Sequence, residues 1–368
     1  MRNFFAQQER ARRNTVWLVL LFLLAVVAIA AAVYLVMFFG MRYFDLHGST
    51  ASARAGWWDL DLFLSFFVGT LVIILFASFL RGLSLRAGGS AVAEMLGGRL
   101  IPPGTGDFHE RRLLNVVEEM ALAAGVPVPQ VYLLEEESGI NAFAAGHTPD
   151  DAAVVATRGC VELLSREELQ GVIAHEFSHI LNGDMRLKLR LIGILFGILV
   201  ISVIGRGMLH ITRFSAGSSR RGRGGSAVVL ALIAGLVLML IGYIGLFCGR
   251  LIKAAVSRQR EFLADASAVQ FTRNPQGIAG ALKKIGGYAH GSRIESSAAE
   301  ETSHLFFSPA LDYPVFGFWF ATHPPLEERI RRIDPSFDGS FPQVAAPREG
   351  DRALAAAAGA AEARPAGR

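Results

Sequence analysis

His175 and His179 stand four residues apart in the run His175-Glu176-Phe177-Ser178-His179. On a helix, a spacing of four puts both imidazoles on one face, one turn apart, so both can bind one ion. Glu176 lies beside that face, where a carboxylate can act as a base on a water. With nine histidines in 368 residues, independent placement yields this pattern on the order of 0.01 times per chain. Two surface histidines on an amphipathic helix are therefore the weaker reading. Ser165 and Glu168 form a capping-box pattern that would start the helix. Asn182 and Asp184 follow it and could cap or bend its end.

A catalytic zinc usually takes three protein ligands, so two histidines leave it one short. The best third candidate is Glu261, in Ser257-Arg-Gln-Arg-Glu-Phe-Leu-Ala-Asp265. Asp265 is four residues on and shares its helix face. A carboxylate there can accept the far N–H of a ligand histidine and fix its tautomer. The bland alternative is a surface helix of Arg, Glu and Asp ion pairs. Glu261 lies more than 80 residues from His179, so the fold must bring two distant blocks together. His323 sits in Ala321-Thr-His-Pro-Pro, and a lone histidine beside prolines reads first as structural. Cys160 and Cys248 cannot build a disulfide framework and read as unpaired thiols.

These residues must be held by the polar blocks of an otherwise apolar chain. Of its residues 52% are apolar and 18% charged, with a net charge of +4. That excess is too small and too spread to make nucleic acid a partner. Val16 to Phe39, Leu62 to Leu80 and Gly224 to Gly249 carry no charge. Each is long enough to cross a hydrocarbon core of ~30 Å. Leu191 to Gly205, between Arg190 and Arg206, covers only roughly 22 Å as a helix. It spans only if those arginines snorkel, and a membrane-inserted hairpin competes. Arg2, Arg10, Arg12 and Arg13 precede the first stretch and put the N-terminus in the cytoplasm. Two crossings return Arg81 to that side. Against this topology, the loop 206–225 carries five arginines that would face outward if the third stretch crosses.

The chain then divides into a membrane anchor (1–80), a first soluble block (81–186), a membrane hairpin (187–250), a second soluble block (251–342) and a tail (343–368). The two soluble blocks make one domain of ordinary size together. Glu110 to Ala124 reads as an amphipathic helix. Gln130 to Leu134, Asn141 to Ala145 and Ala152 to Thr157 read as strands of a small sheet. The tail is Ala, Gly, Pro and Arg without aromatics, a composition that predicts disorder.

Together these residues resemble an HtpX-type membrane zinc metallopeptidase, in the family that also contains the CAAX prenyl proteases. The resemblance rests on Gly139-Ile-Asn-Ala-Phe-Ala144, His175 to Asp184, Arg258 to Asp265 and Thr322-His-Pro. It implies a mainly α membrane protein: four apolar helices plus a cytoplasmic α+β zincin-like (gluzincin) domain with a small sheet. It implies one Zn2+ on His175, His179 and Glu261, Glu176 as base, and Asp265 behind a histidine. It raises His323 and Arg329 to positions near the transition-state oxyanion. It makes Asn141, Ala142, Phe143 and Ala144 the edge along which substrate backbone aligns. Membrane proteins become the polypeptide substrates, cut in protein quality control at the inner membrane. A prenyl-protein protease and a non-enzymatic zinc-containing adaptor are the competing readings. Natural substrates and oligomeric state stay open.

Overall fold

The computed structural model describes residue 20 and residues 23–39, 60–216, 224–296, 302, 305–309 and 323–345. The N-terminal arginines, residues 217–223 of the arginine-rich loop and the tail from residue 346 lie outside the described residues. Contacts divide the chain into two compact units. Of the described residues, one unit holds those of Ser84–Arg190 and those from Lys253 onward; the other holds those up to Leu83 and those of Leu191–Ile252.

The first unit is α+β. Its elements are α3 (Gly89–Met95), β1 (Arg99–Leu100), α4 (Phe108–Ala124), β2 (Gln130–Leu134), β3 (Ala142–Ala145), β4 (Ala153–Thr157), α5 (Arg158–Leu163) and α6 (Arg166–Leu181). After the second unit's helices come α9 (Pro275–Gly287) and α10 (Leu326–Ile333). The strand order is β1-β2-β4-β3, with β2 and β4 parallel and the two outer pairs antiparallel. The three strands expected from sequence appear within one residue of their expected starts. Strands β3 and β4 are buried at every position, which explains why they read as continuous apolar runs rather than alternating ones. Helix α6 packs on β3, and α3 on both β3 and β4. Helix α4 starts two residues earlier than expected, because the Asp107 carboxylate accepts from the amides of His109 (2.8 Å) and Glu110 (3.0 Å).

The second unit is helical: α1 (Leu23–Phe39), α2 (Leu60–Ser84) and the apolar lengths of α7 (Asp184–Ala216) and α8 (Gly224–Thr272). Among the described residues, three spans are long and apolar enough to cross a membrane: Leu60–Ser84, Asp184–Thr212 and Ala231–Leu251. Helix α7 runs unbroken past Arg190 and Arg206, and its 29-residue span rises about 44 Å. The helix is long and apolar enough to cross, with Arg190 and Arg206 inside it that must snorkel if it does. Helix α8 is continuous for 49 residues, carrying an apolar span and then Glu261 and Asp265.

Candidate metal centre

Helix α6 is started by the expected capping box. The Ser165 hydroxyl accepts from the Glu168 amide (3.2 Å), and the Glu168 carboxylate accepts from the Ser165 amide (2.7 Å). The helix lies in the middle of the core, so His175, Glu176 and His179 are all buried. The two imidazoles meet edge to face with centroids 5.0 Å apart.

From more than 80 residues away, α8 brings Glu261 between them. His175 Nε2 lies 3.4 Å from Glu261 Oε2, and His179 Nε2 lies 3.4 Å from Oε1. One ligand atom from each of the three falls within 4.8 Å of the others. Among the described residues, His175 Nε2 and both Glu261 oxygens are buried without an aligned hydrogen bond. Buried polar atoms are normally satisfied, so unsatisfied ligand atoms of His175 and Glu261, clustered with one of His179, fit a cation. Two imidazoles and a carboxylate are a donor set that suits zinc. The buried thiol of Cys160 does not join it. Desolvation pushes its thiol up to about 12, and it lies outside the cluster.

Behind each imidazole stands a carboxylate. Asp265 Oδ1 is 2.9 Å from His175 Nδ1, the arrangement expected from sequence. Asp184 Oδ2 is 2.9 Å from His179 Nδ1, which the sequence reading missed by giving Asp184 only a capping role. Gly183 makes that contact possible. It takes a left-handed φ of +68°, which ends α6 and lets α7 begin at Asp184.

Arg329 is fully buried and holds Asp265 by two bonds, Nε to Oδ2 at 2.9 Å and Nη2 to Oδ1 at 2.7 Å. Its Nη1 donates to the Phe307 carbonyl at 2.7 Å. All three nitrogens are thus engaged within the protein, and the nearest Glu261 oxygen is 3.9 Å away. In this arrangement Arg329 buttresses Asp265. His323 does reach the centre, with Nδ1 2.9 Å from Glu261 Oε2.

Glu176 is fixed by the sheet. Its Oε2 accepts from the Ala144 amide at 2.9 Å, while Oε1 is buried without a hydrogen bond among the described residues. Strand β3 is the outermost strand on its side, yet its outward groups are in use. Phe307 donates to the Ala142 carbonyl (2.7 Å), and the Asn141 side chain ties down the carbonyls of Ser292 (2.7 Å) and Ser308 (3.1 Å). Phe143 packs edge to face on Phe306, and Phe307 on the His175 ring.

Burial and neighbouring charge set the proton affinities. Burial alone would lower that of His175, but Asp265 and Glu261 overcome it and raise the pKa to about 9. His179 falls to about 4, mainly through burial and then through the Lys188 ammonium. Burial raises Glu176, against the pull of His175, His179 and Lys188. Lys188 is a buried cation that the sequence reading did not single out.

Comparison with known proteins places this geometry. Residues 108–336 match the model of Peptidase family M48. The Protease HtpX homolog of Thermoanaerobacter pseudethanolicus is 43% identical over 222 residues, 60% of this chain and 70% of that protein. That of Dictyoglomus turgidum is 41% identical over 221 residues, 60% and 68% of the two chains. The crystal structure of S. mikatae Ste24p aligns with a TM-score of 0.42 at 15% identity, covering 87% of this chain and 67% of that one. The family match takes in well over half of the chain and every side chain of the centre, from Asn141 to Arg329. With its long apolar helices, the chain belongs to peptidase family M48 as a membrane metallopeptidase, which works on polypeptides with a metal cofactor.

Proposed function

We propose that the chain is a zinc-dependent endopeptidase that cuts misfolded or damaged membrane proteins from the cytoplasmic side of the cell inner membrane. In this reading its catalytic domain is built from residues 81–186 and 251–342. The observation that carries the chemistry is the meeting of His175, His179 and Glu261 beside Glu176. Zinc bound by those three side chains supplies a Lewis acid and lowers the pKa of water to roughly 7. Glu176 Oε1 takes the proton of the attacking water and delivers it to the leaving amine. Its raised proton affinity suits that task, and the Ala144 amide keeps the carboxylate aimed. His323 lies against Glu261, where its ring can donate to the developing oxyanion. Arg329 acts at one remove, by holding Asp265.

Strand β3 ends the sheet, and a substrate backbone would align along Asn141 to Ala144. Main-chain pairing gives loose sequence preference. Since Phe307 already donates to the Ala142 carbonyl and the Ala144 amide to Glu176, a peptide aligned there must displace the first bond and leave the second in place. Long apolar helices in the same chain support membrane proteins as substrates, because anchoring raises the effective concentration of whatever shares the bilayer. The N-terminal arginines support the cytoplasmic orientation.

The test is zinc analysis of detergent-purified protein with a casein digestion, with and without chelator, beside the Glu176→Gln variant. We expect about one zinc per chain in both proteins and a loss of cleavage of at least ~100-fold in the variant. Normal turnover by Glu176→Gln would overturn the assignment. A prenylated C-terminal peptide cut in preference to a misfolded membrane protein would move the substrate class to prenyl proteins.

A further inference from the structure

We propose that Asp184 and Arg260 are a positioning pair that fixes the tautomer and ring orientation of His179, so that both metal-binding histidines are backed by a carboxylate held by an arginine. The inference rests on the His175, His179 and Glu261 site described above.

Asp184 is 2% exposed, and a buried carboxylate persists only if its oxygens are matched. They face two different groups, Oδ1 through charge contact without an aligned hydrogen bond. Oδ2 faces His179 Nδ1 at 2.9 Å, and Oδ1 forms an ion pair with Arg260. The plain alternative is that Asp184 only complements the N-terminal end of α7, where it is the first residue. Against it, both oxygens meet side chains of other helices, His179 on α6 and Arg260 on α8. A neutral imidazole whose Nδ1–H donates to Asp184 presents the lone pair of Nε2. That atom is the one that faces Glu261, at 3.4 Å.

The second leg has the same construction as the first. His175 is backed by Asp265, which Arg329 holds; His179 is backed by Asp184, which Arg260 meets. The two arrangements differ in where the arginine comes from. Arg329 belongs to α10, whereas Arg260 directly precedes Glu261 on α8. The Arg260–Asp184 contact therefore ties the backing of one ligand to the chain neighbour of another. Placing Glu261 and orienting His179 become one event, which suits a site assembled from two distant blocks of sequence.

The experiment measures zinc affinity by chelator competition in the full-length, detergent-solubilised protein. Asp184→Ala should weaken zinc binding by roughly 10–100-fold. Asp184→Asn keeps an oxygen that accepts from Nδ1–H and should recover most of that loss. Arg260→Ala should weaken zinc less than Asp184→Ala, and Arg260→Lys should restore it. Wild-type affinity in Asp184→Ala, or an Asp184→Asn variant no better than Asp184→Ala, overturns the pair. If Asp184→Ala fails to fold, nitrogen NMR of zinc-loaded wild-type protein with labelled histidine decides: protonated Nδ1 on His179 is expected, and protonated Nε2 overturns it. A wild-type chain that binds no zinc removes the metal site itself, whereas equal binding by wild type and Asp184→Ala removes this inference alone.

Discussion

Along α6, ten consecutive residues from Gly171 to Ile180 are buried, and two imidazoles and a carboxylate are among them. Along α2, only Thr70, Ile74 and Ala77 are buried, while Phe76 and Phe79 each stand 60% exposed. The two helices obey the same physics in different surroundings. In the first unit, water outside drives large apolar side chains inward, and charges go in only when matched to one another. In the second, hydrocarbon outside is as apolar as phenylalanine, so packing a large side chain inside brings little. Helices there gain from close approach through small residues. Gly205 has no room for a Cβ, which would sit 2.4 Å from the Met239 amide nitrogen and 2.6 Å from the Gly235 carbonyl.

The largest effect should come from making the same truncation in both units. Phe177 is fully buried in the first unit's core. Phe177→Ala should cost about 3–5 kcal/mol, through lost transfer energy and the cavity left behind. Phe76→Ala removes the same atoms from an exposed position and should cost less than about 1 kcal/mol. Thermal unfolding of both variants in detergent checks the difference. Equal losses would mean that α2 is packed against a partner, and the contrast between the units would fail.

A smaller effect sharpens the other half of the comparison. Gly205→Val forces a side chain into the backbone of α8 and should cost about 1–3 kcal/mol. Two residues on in the same helix, the Cβ position of Gly207 meets nothing within 4 Å. Gly207→Ala should be neutral or stabilising by up to about 1 kcal/mol, the helix-propensity gain. The same unfolding assay, read on the pair, separates contact from propensity. Matching behaviour at Gly205 and Gly207 would show that close helix approach is not what holds this unit.

Much of the centre was legible because its residues are local or patterned. His175, Glu176 and His179 declare themselves by helical spacing, and the capping box by Ser165 and Glu168. The strands could be read from short apolar runs bounded by turn formers. What was hidden depended on chain reversal or on length. Asp184 reaches His179 only because Gly183 adopts a left-handed turn, and no periodicity announces that. Strand β1 is two residues long, exposed at both, and carries no pattern. The ends of helix α7 were not legible, because the uncharged stretch 191–205 is only its centre and the helix continues past Arg190 and Arg206. The partners of Arg329, Asp265 and the Phe307 carbonyl, lie 64 and 22 residues away, so its buttress role appears only in three dimensions.

The smallest expected effect uses pH, which acts on the two units unequally. Among the described residues of the second unit, Asp61 is the one carboxylate, while the first unit carries many in defined partnerships. Asp334, just past α10, is held at about 2 by Lys283, whose ammonium is 2.8 Å away, and then by the Ser336 hydroxyl. The sign follows from the direction of the shift. A carboxyl with a folded pKa below its unfolded value near 3.8 stabilises the fold above that value. The contribution fades as pH falls from about 4 through about 2, below which both states are protonated. Asp334→Asn should therefore be less stable than wild type at pH 6 and converge with it below about pH 2. The gap should narrow in high salt, since the Lys283 pair is partly exposed. Urea unfolding of the two proteins across that range reads it. A gap that persists below pH 2 would assign the loss to packing at this corner rather than to charge, and would remove acid sensitivity as a difference between the two units at this site.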